Sequence, residues 1–89
     1  MNTVQLIIKG KVQGVFFRAS AKKMAEELGL AGWIKNTHNG GVEAVVSGKK
    51  ESIENFIAWC KIGPKKASVV SVQVSEIEEK IFENFAILK

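Results

Sequence analysis

An α+β fold of two layers is predicted for this chain of 89 residues. Several short segments alternate apolar and polar residues, as β-strands do, and two others carry apolar residues at helical spacing. No linker or internal repeat interrupts them, and the length suits one domain but not two. Helices of about a dozen residues cover only one face of a small sheet. We therefore expect a single domain over residues 1–89, with two helices on one face of an antiparallel sheet.

The first strand and the first helix are predicted from the spacing of their apolar residues. Val4, Leu6 and Ile8 alternate with polar neighbours, which indicates a strand over residues 3–9. Gly29 is a suitable C-terminal cap for the helix, which we expect over residues 17–28. The apolar face of this helix comprises Phe17, Ala21, Met24, Ala25 and Leu28.

A hairpin and a second helix follow. Residues 33–37 and 42–46 are strand candidates separated by a turn that contains Asn39-Gly40. Asn-Gly is typical of tight hairpin turns with positive φ angles, so the two strands should pair antiparallel. The second helix has an apolar face of Ile53, Phe56, Ile57 and Cys60. Gly63-Pro64 should end this helix.

The tail completes the order of elements. Val70, Val72 and Val74 alternate again, and residues 82–88 are expected to form a short last strand. The predicted order is therefore β-α-β-β-α-β with a short fifth strand. This order is typical of the ferredoxin-like, split βαβ sandwich.

Several residue types are missing from the chain, and their absence restricts the chemistry. All nine acidic residues are Glu, and His38 and Cys60 are the only residues of their kinds. A multi-ligand Cys/His zinc site, a Ser-His-Asp triad, an aspartyl nucleophile and an internal disulfide are thereby excluded. No apolar run approaches the ~20 residues that span a bilayer, and no signal peptide is evident. We expect a cytoplasmic domain.

Positive charge is concentrated near the N-terminus of the chain. The net charge is +4, and five cations precede the first acid, Glu26. These cations are Lys9, Lys11, Arg18, Lys22 and Lys23. Arg18 is the only arginine, which is notable because a guanidinium can grip an oxyanion with two parallel hydrogen bonds. The pattern suits an anionic ligand.

The candidate site is the connection between the first strand and the first helix. Gly10 and Gly14 allow the backbone to curl, and the helix N-terminus behind them favours an anion. Arg18 lies in the first helical turn, where a cation opposes the helix dipole by about 0.3–1 kcal/mol. A solvated Arg on a glycine-containing loop is the alternative, because Lys49 and Lys50 show that the chain tolerates cations near a helix start. The residues alone leave both interpretations open.

Two longer motifs resemble the paired signature of the acylphosphatase family. They are Gly10-Lys11-Val12-Gln13-Gly14-Val15-Phe16-Phe17-Arg18 and Gly32-Trp33-Ile34-Lys35-Asn36. The resemblance implies hydrolysis of the carboxyl-phosphate bond of acyl phosphates, giving a carboxylate and inorganic phosphate, with no metal or cofactor. It assigns the catalytic roles to Arg18, which would grip the phosphoryl oxygens, and Asn36, which would hold the attacking water. The implied phosphate-binding residues are Lys11, Val12, Gln13, Gly14, Val15, Phe16, Phe17 and Arg18.

A non-catalytic module that binds RNA or another anion on the same fold is the alternative function. RNA-binding sheets of this type stack bases on exposed aromatic residues of the central strands. The first strand has no aromatic residue, and Trp33 is the only one in the second. RNA binding is therefore disfavoured. With the activity that the resemblance implies, we expect a monomeric enzyme that acts on small molecules, with neither nucleic acid nor membrane as a partner. Trp33 and Trp59 are expected to be packing residues, and Cys60 a core residue.

Overall fold

A computed structural model describes residues 1–89. The elements are β1 (Asn2–Lys11), α1 (Phe17–Glu27), β2 (Ala31–Asn36), β3 (Val42–Gly48), α2 (Lys50–Cys60), β4 (Ser68–Glu76) and β5 (Phe85–Ile87). Their order confirms the predicted β-α-β-β-α-β arrangement with a fifth strand. The predicted helix and strand positions agree to within a few residues, except that β5 is shorter than the expected 82–88. No helix is long and apolar enough to cross a membrane.

The five strands form one sheet in the order β4-β1-β3-β2-β5. The first four are antiparallel to their neighbours, but β5 pairs with β2 in parallel. The predicted two-layer sandwich is confirmed, and the fifth strand makes the sheet mixed at this edge. β5 runs parallel to β2 because of where the chain crosses from β4 to the far edge of the sheet. β4 ends beside Val4, at the same end of the sheet where β2 begins. A strand reached by crossing at that end must run in the direction of β2.

The hydrophobic core lies between the helices and one face of the sheet. Its side chains come from β1 (Val4, Leu6, Ile8), from α1 (Phe17, Ala21, Ala25), from α2 (Ile53, Phe56, Cys60) and from the other strands and connections. Trp59 packs with its ring centroid 5.4 Å from that of Phe17, as predicted for a packing residue. Trp33 differs, because strand alternation places it on the opposite face from buried Ile34. There the Nζ of Lys35 lies 5.4 Å from the ring centroid of Trp33.

The helix ends and the hairpin show how local sequence signals were realised. Gly29 takes a left-handed conformation after α1, and Gly63 does so after α2, as the capping signals predicted. In the hairpin, however, only Gly40 has a positive φ, so the predicted use of Asn39 is wrong. The turn is longer than two residues: the N–H of Thr37 donates to the carbonyl of Gly41, and the Thr37 hydroxyl accepts from the N–H of Gly41. The side chain of Thr37 therefore supplies a turn hydrogen bond that a tight turn obtains from its backbone.

The segment that crosses from β4 to β5 is held by buried hydroxyl groups at the β1 start. The Thr3 hydroxyl donates to Ser47 Oγ (3.1 Å) and accepts from the N–H of Lys80 (3.0 Å). Ser47 Oγ in turn donates to the carbonyl of Lys80 (3.1 Å). These three bonds form a closed ring, which we call the hydroxyl network. It fixes the path of the chain toward β5.

Candidate active site

The connection between β1 and α1 presents backbone donors that have no partner within the chain. None of the N–H groups of residues 12–16 donates a backbone hydrogen bond. Helix α1 adds its own free first-turn N–H groups, because its N-cap, Phe16, makes no side-chain capping bond. The first turn also contains no acidic residue. Since most backbone N–H groups of folded proteins are paired, so many free donors together form a candidate oxyanion site.

Left-handed backbone conformations shape this connection. Gly14 has φ 74°, which glycine adopts without penalty, and a Cβ there would meet no atom within 4 Å. Phe16 has φ 64° and ψ 24°, and it is the only residue other than glycine with a positive φ. Alternation of left-handed and right-handed residues turns successive N–H groups toward one point.

The side chains of the connection divide into anchors and exposed residues. Val12, Val15 and Phe17 are 1%, 5% and 1% exposed and belong to the core cluster. They fix the backbone, so their contribution to an anion site is limited to the main chain. Lys11 is exposed at the end of β1, where it pairs with Ser68 of β4. Its side chain is not among those that line the cleft described next.

Arg18 lines a cleft of about 440 Å³ beside these donors. The lining residues are Val12, Gly14, Phe16, Phe17, Arg18, Ala19 and Ile87. Arg18 is half-buried and is absent from both ion pairs of the chain. It is also the only ionisable residue that lines the cleft. The guanidinium thus makes no ion pair and lies beside free N–H groups, which suits an anionic ligand.

Asn36, the other predicted catalytic residue, is the last residue of β2. It pairs with Val42 and, by strand alternation, shares the helix-covered face with Ile34. Its Oδ1 is buried without a hydrogen-bond donor in the chain. Asn36 does not line the cleft. An unsatisfied buried acceptor of this kind costs stability.

The Gln13 side chain links the first motif to the hairpin turn that follows the second motif, which the sequence analysis did not foresee. Its Nε2 donates to the carbonyl of Thr37 (2.9 Å) and to the carbonyl of Gly41 (2.8 Å). Thr37 directly follows Asn36, so the amide of Gln13 holds the connection beside the strand end that carries Asn36. For Gln13, the sequence analysis predicted only that its backbone N–H group helps to bind phosphate. The only sequence signal for a side-chain role was a polar Gln13 among apolar residues, and this signal does not indicate which groups the side chain bonds to.

The remaining titratable candidates lie apart from the cleft. Burial raises the pKa of the Cys60 thiol to about 12, and this residue is a core residue as predicted. Glu76, Glu78 and Glu79 are exposed near the crossing segment. No three His, Cys, Asp or Glu side chains are grouped so that they could hold a metal ion.

Comparison with known proteins identifies the family. The family model described as Acylphosphatase matches residues 4–87. The acylphosphatase of Azoarcus sp. (strain BH72) is 51% identical over 71 residues, which cover 80% of this chain and 72% of that protein. The acylphosphatase of Methylococcus capsulatus is 43% identical over 90 residues, covering 100% of this chain and 98% of that protein.

The structural comparison agrees with the sequence comparison. The crystal structure of acylphosphatase from Bacillus subtilis superposes with a TM-score of 0.97 at 31% identity and covers 100% of both chains. These relatives are enzymes that hydrolyse acyl phosphates, and they do not favour the alternative of a non-catalytic anion- or RNA-binding module. With a family match over nearly its whole length and the same fold from end to end, the chain belongs to the acylphosphatase family.

Proposed function

We propose that this acylphosphatase holds the phosphoryl group of its substrate with Arg18 and the free N–H groups of the β1–α1 connection. Asn36 orients the attacking water. The cluster of unpaired donors at residues 12–16 is the observation that carries this proposal. Phosphoryl transfer needs mainly positioning and stabilisation of charge on the equatorial oxygens. Backbone donors and a bidentate guanidinium supply both.

The reaction balances without an ionisable catalyst other than Arg18. Water attacks phosphorus, the bond between phosphorus and the acyl oxygen breaks, and its electron pair leaves on the carboxylate. A carboxylate departs without protonation, so no general acid is needed. Asn36 is neutral at all relevant pH values, so it cannot act as a general base and orients the water through its side-chain amide. The proton of the water passes to a phosphoryl oxygen, since no carboxylate or imidazole lines the cleft.

The direct test is turnover of acetyl phosphate by the purified chain in the presence of excess chelator. We expect hydrolysis at the same rate with and without chelator, and competitive inhibition by inorganic phosphate, which occupies the same donors. Loss of activity on chelation that Mg²⁺ or Zn²⁺ restores would refute the mechanism without a metal or cofactor. Normal turnover with no inhibition by phosphate would place the anion site elsewhere.

The proposal also covers the domain organisation, oligomeric state, location and partners of the protein. Residues 1–89 act as one acylphosphatase-like domain, a cytoplasmic monomer whose substrate is a small acyl phosphate and whose partners include neither nucleic acid nor membrane. The lack of a stacking platform on the sheet supports this, since Trp33 is the only aromatic residue of the four antiparallel strands. Sedimentation of the active protein as a dimer would contradict the monomeric state.

A further inference from the structure

The Gln13 side chain makes the only side-chain hydrogen bonds of the β1–α1 connection. Its Nε2 donates to the carbonyls of Thr37 (2.9 Å) and Gly41 (2.8 Å) in the turn between β2 and β3, so both amide hydrogens are used. The other anchors of the connection, Val12 and Val15, are apolar core residues. Apolar packing is not directional, whereas hydrogen bonds are. The Gln13 amide therefore fixes the position of the connection relative to the turn.

No backbone ladder holds these two segments together. β1 pairs with β3 only as far as Ile8, which lies opposite Val42. Beyond that pair, β1 continues its ladder with β4 alone, up to Lys11 opposite Ser68. No backbone hydrogen bond joins the connection to the turn between β2 and β3. Gln13 therefore supplies hydrogen bonds at the point where the β1–β3 ladder has ended.

The two carbonyls belong to a cross-linked turn that directly follows Asn36. The N–H of Thr37 donates to the carbonyl of Gly41 (2.9 Å), and the N–H of Gly41 donates to the Thr37 hydroxyl (3.0 Å). Gly41 also lies close to β1, since a Cβ there would be 2.8 Å from the carbonyl oxygen of Ile8. Because the turn is held in this way, a bond to its carbonyls also holds the strand end that carries Asn36.

The connection and the end of β2 hold different reactants in the proposed mechanism. The phosphoryl group lies against Arg18 and the N–H groups of residues 12–16, whereas the water is oriented by Asn36. Attack requires the reacting atoms to be aligned and about 3–3.5 Å apart, and a displacement of about 1 Å can cost about 10² in rate. The relative position of the two segments therefore affects the rate of the chemical step.

Resting on the proposed function, we propose that Gln13 is a positioning residue for the hydrolysis. Its side-chain amide holds the phosphate-binding connection where the water oriented by Asn36 is in line with phosphorus. The Gln13 side chain touches neither the phosphoryl group nor the water, and it acts through the two segments that it joins. Loss of its bonds lowers kcat but leaves phosphate affinity nearly unchanged, because Arg18 and the N–H groups of residues 12–16 remain.

Two variants of the complete chain test this role with acetyl phosphate as substrate. Gln13→Met keeps the length of the side chain and removes both donors, and we expect kcat to fall by about 10-fold to 100-fold. Gln13→Asn keeps an amide but is one methylene shorter, so it cannot reach both carbonyls and should show a fall of similar size. The inhibition constant of phosphate should change little in both. Circular dichroism at the assay temperature verifies that each variant is folded.

Gln5→Met is the matched control. It makes the same substitution in β1 and removes the 2.7 Å bond from Gln5 Nε2 to Glu43 Oε2, which lies within the sheet. This variant loses a side-chain hydrogen bond of the same donor, away from the connection. We expect its kcat to equal that of the wild type.

A double-mutant cycle separates positioning from a merely structural role. If Gln13 acts by aligning the water that Asn36 holds, its contribution to kcat disappears when Asn36 is replaced. Gln13→Met should therefore lower kcat by less than about twofold in the Asn36→Ala background. A residue that only stabilises the fold would lower the melting temperature in both backgrounds and leave the kcat of the folded protein unchanged.

The outcomes separate this inference from the proposed function. Wild-type kcat in either folded Gln13 variant, or losses that multiply in the double variant, would overturn the positioning role and leave the proposed function intact. Equal losses of kcat and phosphate affinity would also overturn it, because Gln13 would then belong to the phosphate cradle. Absence of acetyl phosphate turnover by the wild type would overturn the proposed function, and the positioning role with it.

Discussion

The two ends of the β1–β3 pair treat their polar groups in opposite ways. At the end where β1 begins, Thr3, Ser47 and the backbone of Lys80 satisfy one another in the closed hydroxyl network. At the end where β1 passes into α1, the N–H groups of residues 12–16 find no backbone acceptor. There Arg18 has no ion pair, and Asn36 Oδ1 is an orphaned acceptor. Both ends are built on the same strands.

This difference separates groups that stabilise the fold from groups that await a ligand. Pairing of buried hydroxyl groups contributes roughly 0.5–1.5 kcal/mol for each bond, whereas an unpaired buried group costs about 1–3 kcal/mol. The site end therefore retains an unsatisfied buried acceptor, Asn36 Oδ1, at the expense of stability, as expected where function opposes local preference. The Gln13 amide is the exception, since it pairs with two carbonyl groups to hold the site end together.

The largest expected effect follows from replacing Arg18 at the site end. Arg18→Gln removes the only cation that lines the cleft. We expect kcat/KM to fall by about 10³ or more, the scale of losing an arginine that stabilises a phosphoryl transition state, together with loss of phosphate inhibition. Far-UV circular dichroism should remain native, because Arg18 makes no ion pair in the fold. Normal phosphate inhibition in this variant would contradict its role.

Asn36→Ala should have the next largest effect, and the effect should be on turnover. If Asn36 orients water, kcat falls by about 10² while the inhibition constant of phosphate changes little. The melting temperature should not fall through loss of a bond to Oδ1, because that oxygen has no donor in the chain. Measurement of kcat, the phosphate inhibition constant and the melting temperature on one preparation tests this role.

Two other results for Asn36→Ala would each change the interpretation. A variant with a lower melting temperature and normal kcat would make Asn36 a residue that only secures the end of β2. Equal losses of kcat and phosphate affinity would make it part of the phosphate cradle.

A change at the opposite end of the sheet should affect stability alone. Thr3→Val keeps the side-chain shape but removes the hydroxyl that pairs with Ser47 and with the N–H of Lys80. We expect the free energy of unfolding to fall by about 1–3 kcal/mol, with kcat for acetyl phosphate unchanged. Thermal unfolding measures the first quantity, at about 4–8 °C for each kcal/mol in a domain of this size. A large loss of kcat in the folded variant would show that the two ends are not independent.

The effect that is smallest at neutral pH concerns Cys60, which lies in the core away from both ends. Burial raises the pKa of its thiol from 9.0 to about 12, so the folded state binds a proton that the unfolded state releases above pH 9. Stability should therefore decrease as pH rises from 9 to 12, by at most about 1.4 kcal/mol per pH unit from this group. Cys60→Ala lacks the thiol, and its unfolding free energy should decline less steeply over that range. Equal slopes in the two proteins would exclude the contribution.

Predictions from the sequence succeeded where the signal was local. Alternation at Val4, Leu6 and Ile8 placed β1, and glycine placed the ends of both helices. The connection that carries Arg18 became a candidate site because Gly10 and Gly14 precede a cation in the first helical turn and because the motif resembles that of the acylphosphatase family; its role stays a prediction. Prediction failed at the Asn39-Gly40 turn, where the Thr37 hydroxyl supplies a bond that dipeptide preferences do not include.

The sequence by itself determined the secondary structure, the family resemblance and the identity of the candidate site residues, because periodicity, capping and motif spacing act over a few neighbouring residues. Only the tertiary structure decided the parallel pairing of β5, since that depends on where the crossing from β4 passes. It also decided that the Gln13 amide reaches residues 37 and 41, and that Ile87 lines the same cleft as Arg18. These contacts join residues far apart in the chain, and their partners are set by the packing of the sheet as a whole.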